Sequence, residues 1–124
     1  MTRTPILFLL ETEEIGGTET VLSGWFRELR QRYFCVYLAT RSRKTRLFFK
    51  NEVDLSFNSG LGVRDWDRLL NRYPVELAVG IYGNVPALFA ACASRSIPRM
   101  YFCSQGPQGN LAFKKTRELV TALS

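Results

Sequence analysis

The chain has 124 residues, 46% of them hydrophobic and 23% charged, a balance that fits one globular domain with its own core and excludes a disordered chain. Seventeen Lys and Arg stand against eleven Asp and Glu, for a net charge of +6, so the surface favours phosphates, anionic lipid or nucleic acid without choosing among them. There is no histidine, which removes Ser–His and Cys–His nucleophiles, imidazole bases and most zinc sites.

Residues 6–10 (ILFLL) form a short continuous apolar run, the mark of a strand buried on both faces of a sheet. The run is too short to span a bilayer. The acidic TEE at residues 12–14 stands where a secretory signal needs small residues. A polar turn containing Gly16 and Gly17 follows. The next helix carries Val21, Leu22, Trp25, Phe26 and Leu29 on one face and Arg27, Glu28, Arg30 and Gln31 on the other. Residues 33–40 (YFCVYLAT) read as a second buried strand. The first forty residues are therefore a β-α-β unit, with a parallel sheet and a right-handed crossover.

Residues 41–50 (RSRKTRLFFK) are the densest run of positive charge. Residues 53–57 suggest a short strand, closed by NSGLG at 58–62. Arg64 or Asp65 opens a helix with Trp66, Leu69, Leu70 and Tyr73 on one side, and Pro74 stops it. Residues 77–82 (LAVGIY) form the next strand. Asn84 caps a small-residue helix with Pro86 in its first turn. A strand over 99–103, a glycine-rich loop over 104–110 and a helix from residue 111 complete the pattern. Strands alternating with helices predict a doubly wound, Rossmann-like parallel sheet of five strands, with helices on both faces, in a single domain over 1–124. Cys35, Cys92 and Cys103 are widely spaced with no CxxC, which predicts three buried thiols in a reducing, cytoplasmic compartment.

Ligands of such sheets bind beyond the carboxyl ends of the strands, near the point where strand order reverses. That rule selects the loops at residues 11–19, 82–84 and 104–110. In the first, Gly16 and Gly17 let backbone approach a ligand, and Thr18 heads a helix whose amide end attracts anions. The spacing is neither GxGxxG nor a Walker A loop, and a plain tight turn is its bland alternative.

A strand ending in LLE, then GGTE leading an amphipathic helix, resembles the start of GT-B glycosyltransferases of the GT4 type. The stretch PVELAVGIYGNVPALFAACASRSIPRMYFCSQG is similar to a later part of the same domain. The resemblance runs loosely over residues 5–106 and rests on the order of motifs. It implies an acceptor-side amino-terminal domain that binds a sugar or lipid-linked acceptor and part of a nucleotide-sugar diphosphate. Gly16 and Gly17 would offer backbone N–H groups, with Thr18 beside them. Glu19 would orient the loop, and Tyr82, Gly83 and Asn84 would line the acceptor side. Ser104, Gln105 and Gly106 stand where many family members carry a histidine followed by glycine; this chain has Gln105 there. The family's donor-binding half is absent from these residues, so the chain alone is expected not to turn over and no catalytic residue is assigned. No cofactor and no metal are implied, the nucleotide-sugar being a substrate of the complete enzyme.

The alternative is a non-enzymatic α/β binding module at the membrane periphery. Cations around Leu47, Phe48 and Phe49 suit an anionic membrane surface, with Arg43, Lys44, Arg46, Phe48 and Phe49 as the contacts. The bland reading of the same run is a core strand with solvated charges at its ends. Nucleic acid is disfavoured, since no recognisable module accompanies the charge. The acids Glu11, Glu13 and Glu14 evoke a receiver-domain metal pocket. That fold needs an aspartate ending the third strand and a lysine after the fifth, and neither is present. An incomplete doubly wound sheet exposes apolar surface, which predicts self-association or a second-domain partner.

Overall fold

The computed structural model describes residues 3–12 and 17–101. Within them strands and helices alternate as β1 (Thr4–Leu10), α1 (Gly17–Gln31), β2 (Phe34–Ala39), α2 (Arg43–Phe48), β3 (Leu55–Phe57), α3 (Val63–Arg72), β4 (Leu77–Tyr82), α4 (Val85–Ala93) and β5 (Arg99–Tyr101). Neighbouring strands are all parallel, in the order β3-β2-β1-β4-β5. The chain steps outward from β1 to β3, returns to the other side of β1 as β4, and continues to β5. The order therefore reverses between β1 and β4, the position where α/β sheets of this kind open a crevice. This is the Rossmann-like, five-stranded α/β domain that the sequence pattern predicts.

Why residues 6–10 read as unbroken apolar sequence is visible in the two cores. Ile6, Phe8 and Leu10 pack on one face against Leu22, Trp25, Phe26 and Leu29 of α1. Leu7 and Leu9 pack on the other against Trp66 and Leu70 of α3 and Leu88, Ala91 and Cys92 of α4. With both faces covered by helices, no position of β1 beyond Pro5 is left for a polar side chain. Gly80 serves the second core. A Cβ at Gly80 would stand 2.6 Å from Val85 Cγ1, so its absence sets how closely α4 lies on β4. Arg95 ties α4 to α3, with its guanidinium 3.0 Å from Asp67 Oδ1 and 2.6 Å from Asn71 Oδ1.

Three local readings differ from the sequence expectation. β2 starts at Phe34, because Tyr33 takes a left-handed turn (φ 69°) and its N–H closes α1 on Arg30 C=O at 3.3 Å. β3 starts at Leu55. The Asp54 carboxylate before it accepts from Val36 N–H at 2.8 Å, and Asp54 N–H donates to Val36 C=O at 2.9 Å. The largest difference lies in residues 41–50, where the LFF run is no strand. Ser42 caps a short helix by accepting from Thr45 N–H at 3.2 Å, and Thr45, buried, donates its hydroxyl to Thr12 C=O at 2.6 Å. The helix end splits the three apolar residues. Phe49 turns inward, its ring centroid 5.1 Å from that of Phe26, while Leu47 and Phe48 face out. The strand over 99–103 is described as far as Tyr101, and the loop and helix expected after it lie outside the described residues.

Candidate functional site

Four loops meet where β1 and β4 end. Glu11, the first residue after β1, donates its N–H to Tyr82 C=O at 2.9 Å. Pairing slips by one residue here, Leu9 facing Gly80 but Leu10 facing Tyr82. Ile81 is passed over, a local irregularity that re-aims the end of β4. Gly83 follows with φ +123°, and a Cβ on it would stand 2.9 Å from Glu11 Cγ. Only glycine fits that backbone and that gap. Asn84 then caps α4, accepting from Ala87 N–H at 3.3 Å, and its side-chain amide reaches Leu61 C=O at 3.4 Å.

The Glu11 carboxylate gathers the remaining two loops. Its Oε1 accepts from Arg41 N–H at 2.7 Å, in the turn after β2, and from the Ser59 hydroxyl, in the turn after β3. Arg41 Nε donates back to Ser59 C=O at 3.0 Å. Arg46 fastens the same two turns from outside, donating to Thr40 C=O at 2.9 Å and to Asn58 Oδ1 at 2.6 Å. Beside this junction lies a cavity of about 260 Å³, lined by Arg41, Asn58, Ser59, Gly60, Asp65 and Arg68. One carboxylate thus fixes a rim of turns on which guanidinium and amide groups are presented to solvent. Such a rim can bind a polar or anionic ligand by hydrogen bonds. Among the described residues no cluster of acids and thiols able to hold a metal ion occurs.

Of the residues singled out from sequence, Tyr82, Gly83 and Asn84 are brought together at this rim. Tyr82 is 37% exposed. Gly17, Thr18 and Glu19 form the first turn of α1, and Glu19 is buried. Gly16, Ser104, Gln105 and Gly106 lie outside the described residues, as do Glu13 and Glu14. Arg41, Ser59, Asn58 and Arg68 were not selected by motif. The rule that ligands meet the carboxyl ends of strands could have found the first three, since they follow β2 and β3.

The proposed membrane contacts need a correction. Phe49 is fully buried in the core and cannot touch a bilayer in this fold. Arg46 is half-buried, with its guanidinium engaged by Thr40 and Asn58. Arg43, Lys44 and Phe48 remain exposed on α2. No helix among the described residues is long and apolar enough to cross a membrane.

Cys35 and Cys92 are free thiols; Cys92 is buried as expected, Cys35 is only half-buried, and Cys103 lies outside the described residues. Burial of the inner face of α4 pushes the Cys92 thiol up to about 11 from an ordinary 9.0, against the opposing pull of Arg99 and Arg95. An acid weakened by folding contributes stability that is complete below the unfolded value, near 9, and is lost as pH rises towards 11. Unfolding free energy measured by urea titration is therefore expected to fall between pH 9 and 11. Cys92→Ala should flatten that slope, and an unchanged slope would refute the assignment.

No protein-family model matches the sequence, and no curated protein matches it. Among solved structures, a UDP-N-acetylglucosamine 2-epimerase is similar with a TM-score of 0.55 and 10% identity, over 81% of this chain and 33% of that one. Another, assigned as a UDP-N-acetylglucosamine 2-epimerase from Listeria monocytogenes, has a TM-score of 0.49 and 9% identity, over 83% and 31%. At such identity the likeness is one of fold. The first of the two supports a GT-B-like Rossmann fold and does not reach the GT4 type. The chain spans about a third of the length of these proteins.

Proposed function

We propose that this chain is the acceptor-side domain of a GT-B-type, GT4-like glycosyltransferase, binding a sugar or lipid-linked acceptor and touching the diphosphate of a nucleotide-sugar. The supporting observation is the rim at the β1–β4 reversal, where Glu11, Gly83 and Asn84 hold four turns around open polar groups. Sugars are recognised by such convergent hydrogen-bonding groups on turns. In the complete enzyme, cations and loop amides rather than a metal would stabilise the departing phosphate. The donor would come from a second domain or partner chain. Isothermal titration tests this: UDP-N-acetylglucosamine and acceptor sugars should bind the chain, and more tightly with a carboxyl-terminal Rossmann-like half supplied. Silence in both settings would end the proposal. Light scattering should show self-association, and a monomer at all concentrations would argue against it.

A second reading is favoured by the surface of α2. Leu47 is 60% and Phe48 39% exposed, on a helix that also presents Arg43 and Lys44. Apolar and cationic side chains together suit an anionic lipid interface, each cation adding about 1 kcal/mol there. Vesicles containing phosphatidylserine should sediment the protein, and neutral vesicles should not. Leu47→Ser with Phe48→Ser should abolish that binding without unfolding the domain, because neither residue is buried. Equal sedimentation of the variant and the parent would remove α2 from the interface.

A further inference from the structure

The cavity beside Glu11 offers more cationic capacity than the fold uses. Arg41 is held by Nε on Ser59 C=O at 3.0 Å and by its backbone N–H on Glu11. Its two terminal amino groups have no partner among the described residues. Arg68 reaches the same cavity from α3. Its pair with Asp65, 2.8 Å apart, is an exposed i,i+3 contact of the weak kind. Asp65 also accepts from Leu61 N–H at 3.1 Å, which holds it at the start of α3, where the cap residue Gly62 has no side chain to offer. Asn58 gives its Oδ1 to Arg46 and keeps its amide as a donor. Ser59 and Glu11 are engaged with each other. What the cavity has left is therefore mostly donors, two of them guanidinium forks on separate elements.

Guanidinium forks match oxyanions by paired, charge-assisted hydrogen bonds. Two forks converging from different elements suit a tetrahedral anion, whose oxygens point in several directions, better than a flat carboxylate. The cavity, about 260 Å³ and open to solvent, has room for a phosphoryl group together with part of the molecule that carries it. We infer that it seats a phosphoryl group carried by the acceptor, between Arg41 and Arg68, which makes the substrate class a phosphorylated sugar or a phospholipid headgroup. The inference rests on reading this rim as an acceptor site.

The test is titration of the 124-residue protein with glucose 6-phosphate, inorganic phosphate and glucose, followed by amide NMR signals. Both phosphates should shift Arg41, Ser59 and Gly60, and glucose 6-phosphate should bind about tenfold more tightly than glucose. Arg41→Gln and Arg68→Gln should each weaken it by about tenfold, with folding checked by circular dichroism. Arg41→Lys, which keeps the charge and loses the fork, should fall between. Lys50→Gln, a cation at a different pocket, should leave soluble phosphate binding unchanged. Binding to phosphatidic acid vesicles but not to glucose 6-phosphate would place the phosphoryl group on a lipid; the converse would place it on a soluble sugar. Equal affinity for glucose and glucose 6-phosphate with no binding to phosphatidic acid vesicles, or an equal loss in Lys50→Gln, overturns the inference and leaves the acceptor reading standing. Phosphate binding at Arg41 with no sugar perturbing Asn84 overturns the acceptor reading and keeps the phosphate seat.

Discussion

Phe8→Ala is expected to cost about 3–5 kcal/mol of folding free energy, the range for emptying a fully buried aromatic site. Phe8 sits on the central strand, between Leu38 of β2 and Val79 of β4 in the register. Its ring lies edge-on to Trp25, centroids 5.1 Å apart, and tilted against Phe26 at 4.7 Å. Both partners belong to α1, and Phe26 in turn meets Phe49, so one ring joins the sheet to α1 and to the end of α2. Truncation removes transfer energy, leaves a cavity that rigid strands cannot close, and breaks two aromatic contacts worth about 0.5–1.5 kcal/mol each within that total. A domain of this size holds about 5–15 kcal/mol altogether, so the urea midpoint should collapse. Leu47→Ala, on an exposed position, should stay within about 0.5 kcal/mol of the parent. A loss below about 1 kcal/mol for Phe8→Ala would mean that α1 does not cover this face of the sheet.

What could be read in advance divides along sequence distance. Leu77–Tyr82 and the helix behind it were legible because every signal is local: an apolar run, Asn84 as cap, Pro86 in the first turn. α2 was misread because its decisive contacts are remote. Ser42 and Thr45 make a recognisable cap pair, but Phe49 is inward only because Phe26 lies across the core, and Thr45 is fixed by Thr12, 33 residues away. Three successive apolar residues carry no period from which to choose a face. The site shows the same limit. Tyr82, Gly83 and Asn84 follow a strand and announce a turn. Glu11 reads as one acid among several, and its partners Arg41 and Ser59 stand 30 and 48 residues off. Their meeting depends on strand order, and composition does not encode the order in which parallel strands lie.

That convergence on Glu11 predicts how Gly83 should respond to substitution. Gly83→Ala places a side chain on backbone at φ +123°, a region that costs about 1–3 kcal/mol for other residues. The new Cβ also lands 2.9 Å from Glu11 Cγ and 3.2 Å from its Cβ, so the Glu11 side chain must move. Moving it draws Oε1 away from Arg41 N–H and from the hydroxyl of Ser59, a residue 5% exposed. A buried hydroxyl left without a partner costs about 1–3 kcal/mol more. Glu11→Ala should strand the same groups with no backbone strain. Glu11→Gln keeps an acceptor oxygen in place and should stay close to the parent. The two effects share one route, so they should not add. With the Glu11 side chain already shortened, the Cγ clash is gone, and Gly83→Ala should cost less than in the parent. A double-mutant cycle by urea denaturation is expected to give a coupling of about 0.5–3 kcal/mol, with loss of sugar binding at Asn84 in both single variants. Strict additivity would show that Gly83 acts through its own backbone alone, and that Glu11 does not carry the strain of the β4 turn into the turns after β2 and β3.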